Sequence, residues 1–217
     1  MKKANTSGFS KEIFEKVPIV GIMRNIPWEI VEKILPLYVE AGLTTLEITM
    51  NSKNAEEIIS AAVKLYGNTL NIGAGTVCTV DDLERAIAAG AQFIVTPIVK
   101  KKVIKACVKR KIPIFPGAFT PTEVFTAWEL GAEMVKVFPS GILGAKYLNE
   151  VLAPLNHVNL LATGGVSLDN IDSYLEAGVK GLGIGSPLFV KTLIEEENWE
   201  KLSDHFKQFV AKVKKDN

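Results

Sequence analysis

Short apolar runs alternate along the chain with longer stretches whose apolar positions recur at helical spacing. The apolar runs predict eight strands, at residues 18–23, 44–49, 70–74, 93–96, 112–115, 134–138, 159–162 and 181–184. Their starts fall about 20 to 26 residues apart, room for one strand, one helix and two turns. Strands that alternate with helices pair in parallel. Eight such units in one chain predict a (β/α)8 barrel, a TIM barrel, forming one domain over residues 1–217. A doubly wound open sheet is the alternative.

The boundaries of the helices support that frame. A small residue followed by glycine closes a helix at Glu40-Ala-Gly-Leu43, Ala88-Ala-Gly-Ala91, Glu129-Leu-Gly-Ala132 and Glu176-Ala-Gly-Val179. Glycine just past a helix end takes the left-handed conformation without a steric penalty. Thr120-Pro-Thr-Glu123 reads as a capping box with proline at the first helical position. Thr79-Val-Asp-Asp82 and Ser167-Leu-Asp-Asn170 also read as helix starts. A short helix from Ser10 to Lys16 precedes the first strand, and a terminal helix covers about 198–214.

Composition narrows the class. The chain is 47% hydrophobic and 23% charged with a net charge of +1, which gives no support for nucleic-acid or anionic-membrane partners. No apolar run reaches membrane-spanning length, and the polar start lacks a signal peptide's apolar core. Cys78 and Cys107 match no metal or redox spacing and fit a reducing compartment, so a cytoplasmic protein is expected. His157 and His205 are isolated, and no cluster marks a metal site.

Active sites of parallel barrels lie at the C-terminal ends of the strands. Arg24, Glu47, Thr76, Pro97, Lys136, Gly164-Gly165 and Ser186 all fall there. Lys136 sits inside the apolar run Met134-Val-Lys-Val-Phe138, where an ammonium ion is costly unless paired or deprotonated. A desolvated lysine is a nucleophile suited to Schiff-base chemistry. Alternation along strand two turns Thr45, Glu47 and Thr49 inward, and along strand six Met134, Lys136 and Phe138. Strands two and six lie opposite one another, so Glu47 and Lys136 can approach across the axis. A purely structural ion pair is the competing explanation. Ala162-Thr-Gly-Gly-Val-Ser167 and Gly183-Ile-Gly-Ser-Pro-Leu-Phe189 follow strands seven and eight, where barrels often bind phosphate; tight turns alone would also explain the glycines. Gly73-Ala-Gly-Thr76 could place a hydroxyl near a second anion, or could simply turn the chain.

Together these segments resemble the 2-keto-3-deoxy-6-phosphogluconate / 4-hydroxy-2-oxoglutarate aldolase family of class I aldolases. The resemblance runs from about 14 to 191. It rests on Leu46-Glu-Ile-Thr49, Gly73-Ala-Gly-Thr-Val77, Phe93-Ile-Val-Thr-Pro97, Phe115-Pro-Gly-Ala-Phe-Thr-Pro-Thr-Glu123, Val135-Lys-Val-Phe-Pro139, Thr163-Gly-Gly-Val-Ser167 and Gly183-Ile-Gly-Ser186. It implies a homotrimeric barrel without metal or other cofactor, cleaving a phosphorylated 2-keto-3-deoxy sugar acid to pyruvate and an aldehyde. Lys136 takes the Schiff-base position and Glu47 the general acid/base position. Thr76 would hold the pyruvate carboxylate, Pro97 and Phe138 would line the pocket, and Arg24, Gly165 and Ser186 match positions near the phosphate. Gly164 belongs to the same phosphate loop. The chain departs at Asn51, where phosphogluconate members carry an arginine that helps hold the carboxylate; phosphogalactonate-type members share Asn51-Ser52. A different phosphate-binding barrel enzyme, or a barrel that binds a phospho-keto acid without turnover, would share the two glycine loops but would not need Lys136.

Overall fold

The computed structural model describes residues 8–214; the rest of the polar start and residues 215–217 lie outside it. In chain order the elements are α1 (Lys11–Lys16), β1 (Ile19–Met23), α2 (Trp28–Glu40), β2 (Thr45–Thr49), α3 (Ala55–Tyr66), β3 (Asn71–Gly75), α4 (Val80–Ala88), β4 (Ile94–Thr96), α5 (Lys101–Lys109), β5 (Ile114–Ala118), α6 (Pro121–Glu129), β6 (Val135–Val137), α7 (Ser140–Leu152), β7 (Leu160–Thr163), α8 (Ile171–Glu176), β8 (Gly181–Ile184), α9 (Lys191–Glu195) and α10 (Trp199–Val213). The strands close in sequence order, β1 pairing β2 on one side and β8 on the other, every pairing parallel. This is the (β/α)8 barrel expected from the alternation, and the open sheet is excluded.

Local chemistry sets most boundaries where the residues predict them. The Thr79–Asp82 and Thr120–Glu123 capping boxes are both complete. Gly42, Gly90, Gly131 and Gly178 end their helices with φ between 89° and 94°. Three expectations are corrected. The eighth helix begins at Ile171, after an entry turn in which the Ser167 carbonyl accepts from the Ile171 amide at 3.1 Å and the Asn170 side chain, which makes no cap bond to the helix, accepts from the Ser167 amide at 2.8 Å and donates to the Gly165 carbonyl at 2.7 Å. The fifth strand continues through Pro116-Gly117 to Ala118, because Gly117 pairs with Lys136 and its missing side chain lets the backbone pass against the Pro97 carbonyl. The sixth strand stops at Val137, so Phe138, 40% exposed, stands at the mouth rather than in the interior.

Outward strand residues such as Leu46, Ile48, Ile72 and Leu182 pack under the helices in one large core. Inward residues form a second cluster, Val20, Phe93, Val95, Phe115, Met134 and Leu161, closed from below by Phe14. Phe9 and Phe14 belong to the N-terminal segment, which plugs the barrel floor; the Phe9 ring lies 5.4 Å from Phe93 and 5.8 Å from Phe115. Asn71 ties this plug down. It accepts from the Ser10 amide at 2.7 Å and donates to the Ser10 carbonyl at 2.9 Å and to Thr45 Oγ1 at 3.0 Å. Large inward groups are matched by glycines: a methyl at Gly73 would strike the Phe93 ring, and one at Gly183 the Thr163 side chain. The floor is therefore filled by apolar rings, with Thr45 and Asn71 as the buried polar groups that tie the plug to it.

Candidate active site

Lys136 is 5% exposed and Glu47 1%. They come from β6 and β2, opposite strands of the closed sheet, as the inward alternation predicts. No direct ion pair joins them, yet each feels the other's charge. Burial pushes the Lys136 ammonium below the usual lysine range; the Glu47 charge opposes this and Arg24 reinforces it. Burial likewise raises the Glu47 carboxyl, against the pull of Lys136 and Arg24. Desolvation outweighs mutual attraction for both, so Lys136 loses its proton more readily than an exposed lysine. A strong structural ion pair would show the opposite directions.

The space around Glu47 is provided by Gly75 on the neighbouring strand. A methyl there would overlap the Glu47 carboxylate, with its Cδ only 2.6 Å from the added carbon. Immediately after Gly75, Thr76 adopts φ 57°, an outlier for a β-branched residue. Its hydroxyl lies 3.4 Å from Arg24 Nη2. Lys136 Nζ sits 5.1 Å from the centre of the Phe138 ring, so the amine emerges beneath an aromatic face at the mouth.

Above Lys136 opens a cavity of about 1050 Å³, lined among others by Arg24, Phe138, Thr163, Gly164, Gly165 and Ser186. Gly164 and Gly165 have φ of 84° and 80°. Gly165 passes so close to Gly141 that an added Cβ would lie 2.7 Å from the Gly141 Cα. No backbone or side-chain acceptor among the described residues takes the amides of Gly165 and Ser186. They are free to meet an anion at that corner.

Most sequence-predicted site residues thus converge. Pro97 borders the site through Gly117, next to Lys136. Asn51 is exposed and is not among the residues lining the cavity, whereas its neighbour Ser52 is buried. Thr163 and Ser140 went unassigned in the sequence. Thr163 lines the cavity, and buried Ser140 accepts from the Thr163 amide at 3.0 Å while donating to the Val137 carbonyl at 2.7 Å. Alternation along the seventh strand would have pointed Thr163 inward. Nothing local marks Ser140 as its brace. No group of three or more His, Cys, Asp or Glu side chains able to hold a metal ion occurs among the described residues.

A closed parallel barrel with an amine of this kind at its mouth fits a carbon–carbon lyase of the aldolase class. Comparison with known proteins agrees. The chain is 36% identical over 175 residues (80% of this chain, 85% of the other) to the 2-dehydro-3-deoxy-6-phosphogalactonate aldolase of Escherichia coli K12. It is 32% identical over 210 residues (94% and 98%) to the 2-dehydro-3-deoxy-phosphogluconate aldolase of Haemophilus influenzae Rd. A solved structure described as native KDPGal superposes with a TM-score of 0.85 at 32% identity, covering 95% of this chain and 97% of that one. The chain belongs to the KDPG and KHG aldolase family, whose model matches residues 11–205.

Proposed function

We propose that the protein cleaves 2-keto-3-deoxy-6-phosphogluconate to pyruvate and glyceraldehyde 3-phosphate through a Schiff base on Lys136. The observation that carries this is Lys136 itself, buried on the cavity floor, biased toward its neutral form and facing Glu47. In the first step the Lys136 amine adds to C2 of the keto acid. Glu47, through a water, supplies the proton that lets the carbinolamine lose hydroxide as water. The resulting iminium draws electrons from the C3–C4 bond while the Glu47 carboxylate takes the C4 hydroxyl proton. The aldehyde leaves and an enamine of pyruvate remains. Protonation at C3 and hydrolysis of the imine return the amine. The Gly164–Gly165 and Ser186 corner would hold the phosphate, whose binding away from the breaking bond positions the chain.

Cleavage of 4-hydroxy-2-oxoglutarate to pyruvate and glyoxylate would use the same amine. The galactonate epimer is a second reading, favoured by Asn51-Ser52 and by the E. coli relative's name. A homotrimer is supported by apolar side chains left exposed on neighbouring elements: Phe119, Phe125 and, at 78% exposure, Ile142. A cytoplasmic setting is supported by the free thiols Cys78 and Cys107. No helix among the described residues is long and apolar enough to cross a membrane.

Borohydride added with pyruvate is expected to fix a stable adduct on Lys136, located by peptide mass. An unmodified Lys136 would remove the covalent route. Pyruvate release measured side by side on both phosphorylated epimers and on hydroxy-oxoglutarate assigns the substrate.

A further inference from the structure

Charge is unevenly divided along this chain. Between Ala86 and Thr122 no acidic side chain occurs, while seven basic ones do: Lys100, Lys101 and Lys102, then Lys105, then the run Lys109-Arg-Lys111. The rest of the chain holds the other 18 basic side chains and all 24 acidic ones. A net charge of +1 therefore combines a positive sector with a negative remainder. All seven lie on or beside α5, and all are exposed. Among the described residues Arg110 alone of the seven finds a carboxylate, Glu84 at 2.6 Å.

The fold brings one end of this sector to the mouth. Each helix of a parallel barrel departs from the C-terminal ends of the strands and returns toward the floor. Lys100 stands three residues after Pro97 and opens α5. The Pro97 carbonyl abuts Gly117, which pairs with Lys136. The Cys78 thiol feels the charges of both Lys100 and Lys136, so the two amines share one electrostatic neighbourhood. Lys105 and Lys109 follow Lys101 at one-turn steps, the latter about 12 Å further down the helix.

The helix itself gains nothing from cations at its start. α2, α3, α4, α6 and α8 place acidic side chains in their first turns, which suits the positive end of the helix dipole. α5 has none there and begins with three lysines. An anion arriving from solvent is what would favour this arrangement. The substrate proposed above is such an anion: its carboxylate and phosphate together carry about three negative charges near neutral pH. Exposed cations act on it before contact, over a screening length of about 10 Å at 0.1 M salt. They raise its local concentration and its rate of encounter.

We propose that Lys100, Lys101 and Lys102 form an electrostatic guide on the α5 side of the mouth, which draws the polyanionic substrate toward the cavity. None of the three lines that cavity, so the guide works at a distance. This inference rests on the Schiff-base function proposed above and on the charge of its substrate.

Two triple variants remove the same charge from different places: K100Q/K101Q/K102Q at the mouth, and K105Q/K109Q/K111Q down the helix. Both are compared with the wild type on the phosphorylated keto acid from about 0.01 to 1 M salt, over which the screening length falls from about 30 to 3 Å. At the low end the mouth triple is expected to lower kcat/KM roughly 10-fold, with the change in KM and not in kcat. Near 1 M the difference closes to within about twofold. The distal triple stays within about threefold of the wild type throughout. Attraction scales with ligand charge, so the mouth triple should raise half-saturating hydroxy-oxoglutarate about fivefold, and half-saturating pyruvate in borohydride trapping about twofold. If the mouth triple matches the wild type at low salt, or the two triples act alike, the guide is overturned. A loss that persists at 1 M salt, or that falls on kcat, overturns it equally, because the lysines would then act by contact or through the fold. Failure of the wild type to form the Lys136 adduct would instead strike the parent function, and shows before any variant is made.

Discussion

Gly75 and Gly73 lie two residues apart on β3, both with side-chain positions turned into the barrel, and methyl groups at the two should fail in opposite ways. At Gly75 the added carbon meets the Glu47 carboxylate, the free end of a flexible side chain. The carboxylate can swing aside, so Gly75→Ala should cost stability only about 1 kcal/mol, a melting shift of about 2–4 °C for a chain of this size. Glu47 would then be displaced by about an ångström from its working place, which lowers turnover on the order of 100-fold. At Gly73 the added carbon lies 2.5–2.7 Å from three atoms of the Phe93 ring. That ring is fully buried and held by Phe9 and Phe115, so it cannot swing aside. Gly73→Ala should cost about 1–3 kcal/mol, and so lower the melting point by about 2–12 °C, while the folded fraction keeps turnover within about threefold. Thermal melts and steady-state pyruvate release, corrected for folded protein, measure both. Equal activity in the two variants would refute the claim that Gly75 exists to make room for Glu47.

Three further outcomes are expected. Glu47→Gln should fold normally and lose about 100- to 10,000-fold in turnover, read by the same pyruvate assay; near-normal rates would remove Glu47 from proton transfer. Attack requires the neutral amine, and Lys136 is held below the usual lysine range, so the acid limb of kcat/KM should fall below that range, with rates rising as pH rises through it. Removing the nearby positive charge in R24A should move that limb upward; a limb already in the ordinary lysine range would contradict the desolvation argument. Asn71→Ala breaks the three hydrogen bonds that fasten the plug and leaves the Ser10 and Thr45 groups without it, so it should lower stability by about 1–3 kcal/mol in denaturant titration while sparing turnover.

The barrel was legible because local and global preferences agree along this chain. The glycine after each helix, the two complete capping boxes and the spacing of apolar runs each point to the same βα unit, and the structure closes those units in order. Lys136 and Glu47 were legible for a related reason: strand alternation fixes which side of the wall a residue faces, and the opposition of strands two and six follows from closure alone. What stayed hidden depends on contacts between distant segments. Pro116 and Gly117 look like a chain break in isolation, yet they continue a strand because Lys136 supplies the pairing partner. Ser52 reads as an unremarkable serine after the second strand; only the fold brings the Asn25 amide to it. Asn51 drew notice through the resemblance and its missing charge, but the structural work at that corner falls to its neighbour.

The aromatic plug beneath the barrel fixes a polarity for the whole molecule. Phe9 and α1 seal the end remote from Lys136, so the described chain begins at the sealed side. A resin, an affinity handle or a fused carrier joined there would face away from the substrate's route in, and an immobilised preparation should keep the diffusional access of the free protein.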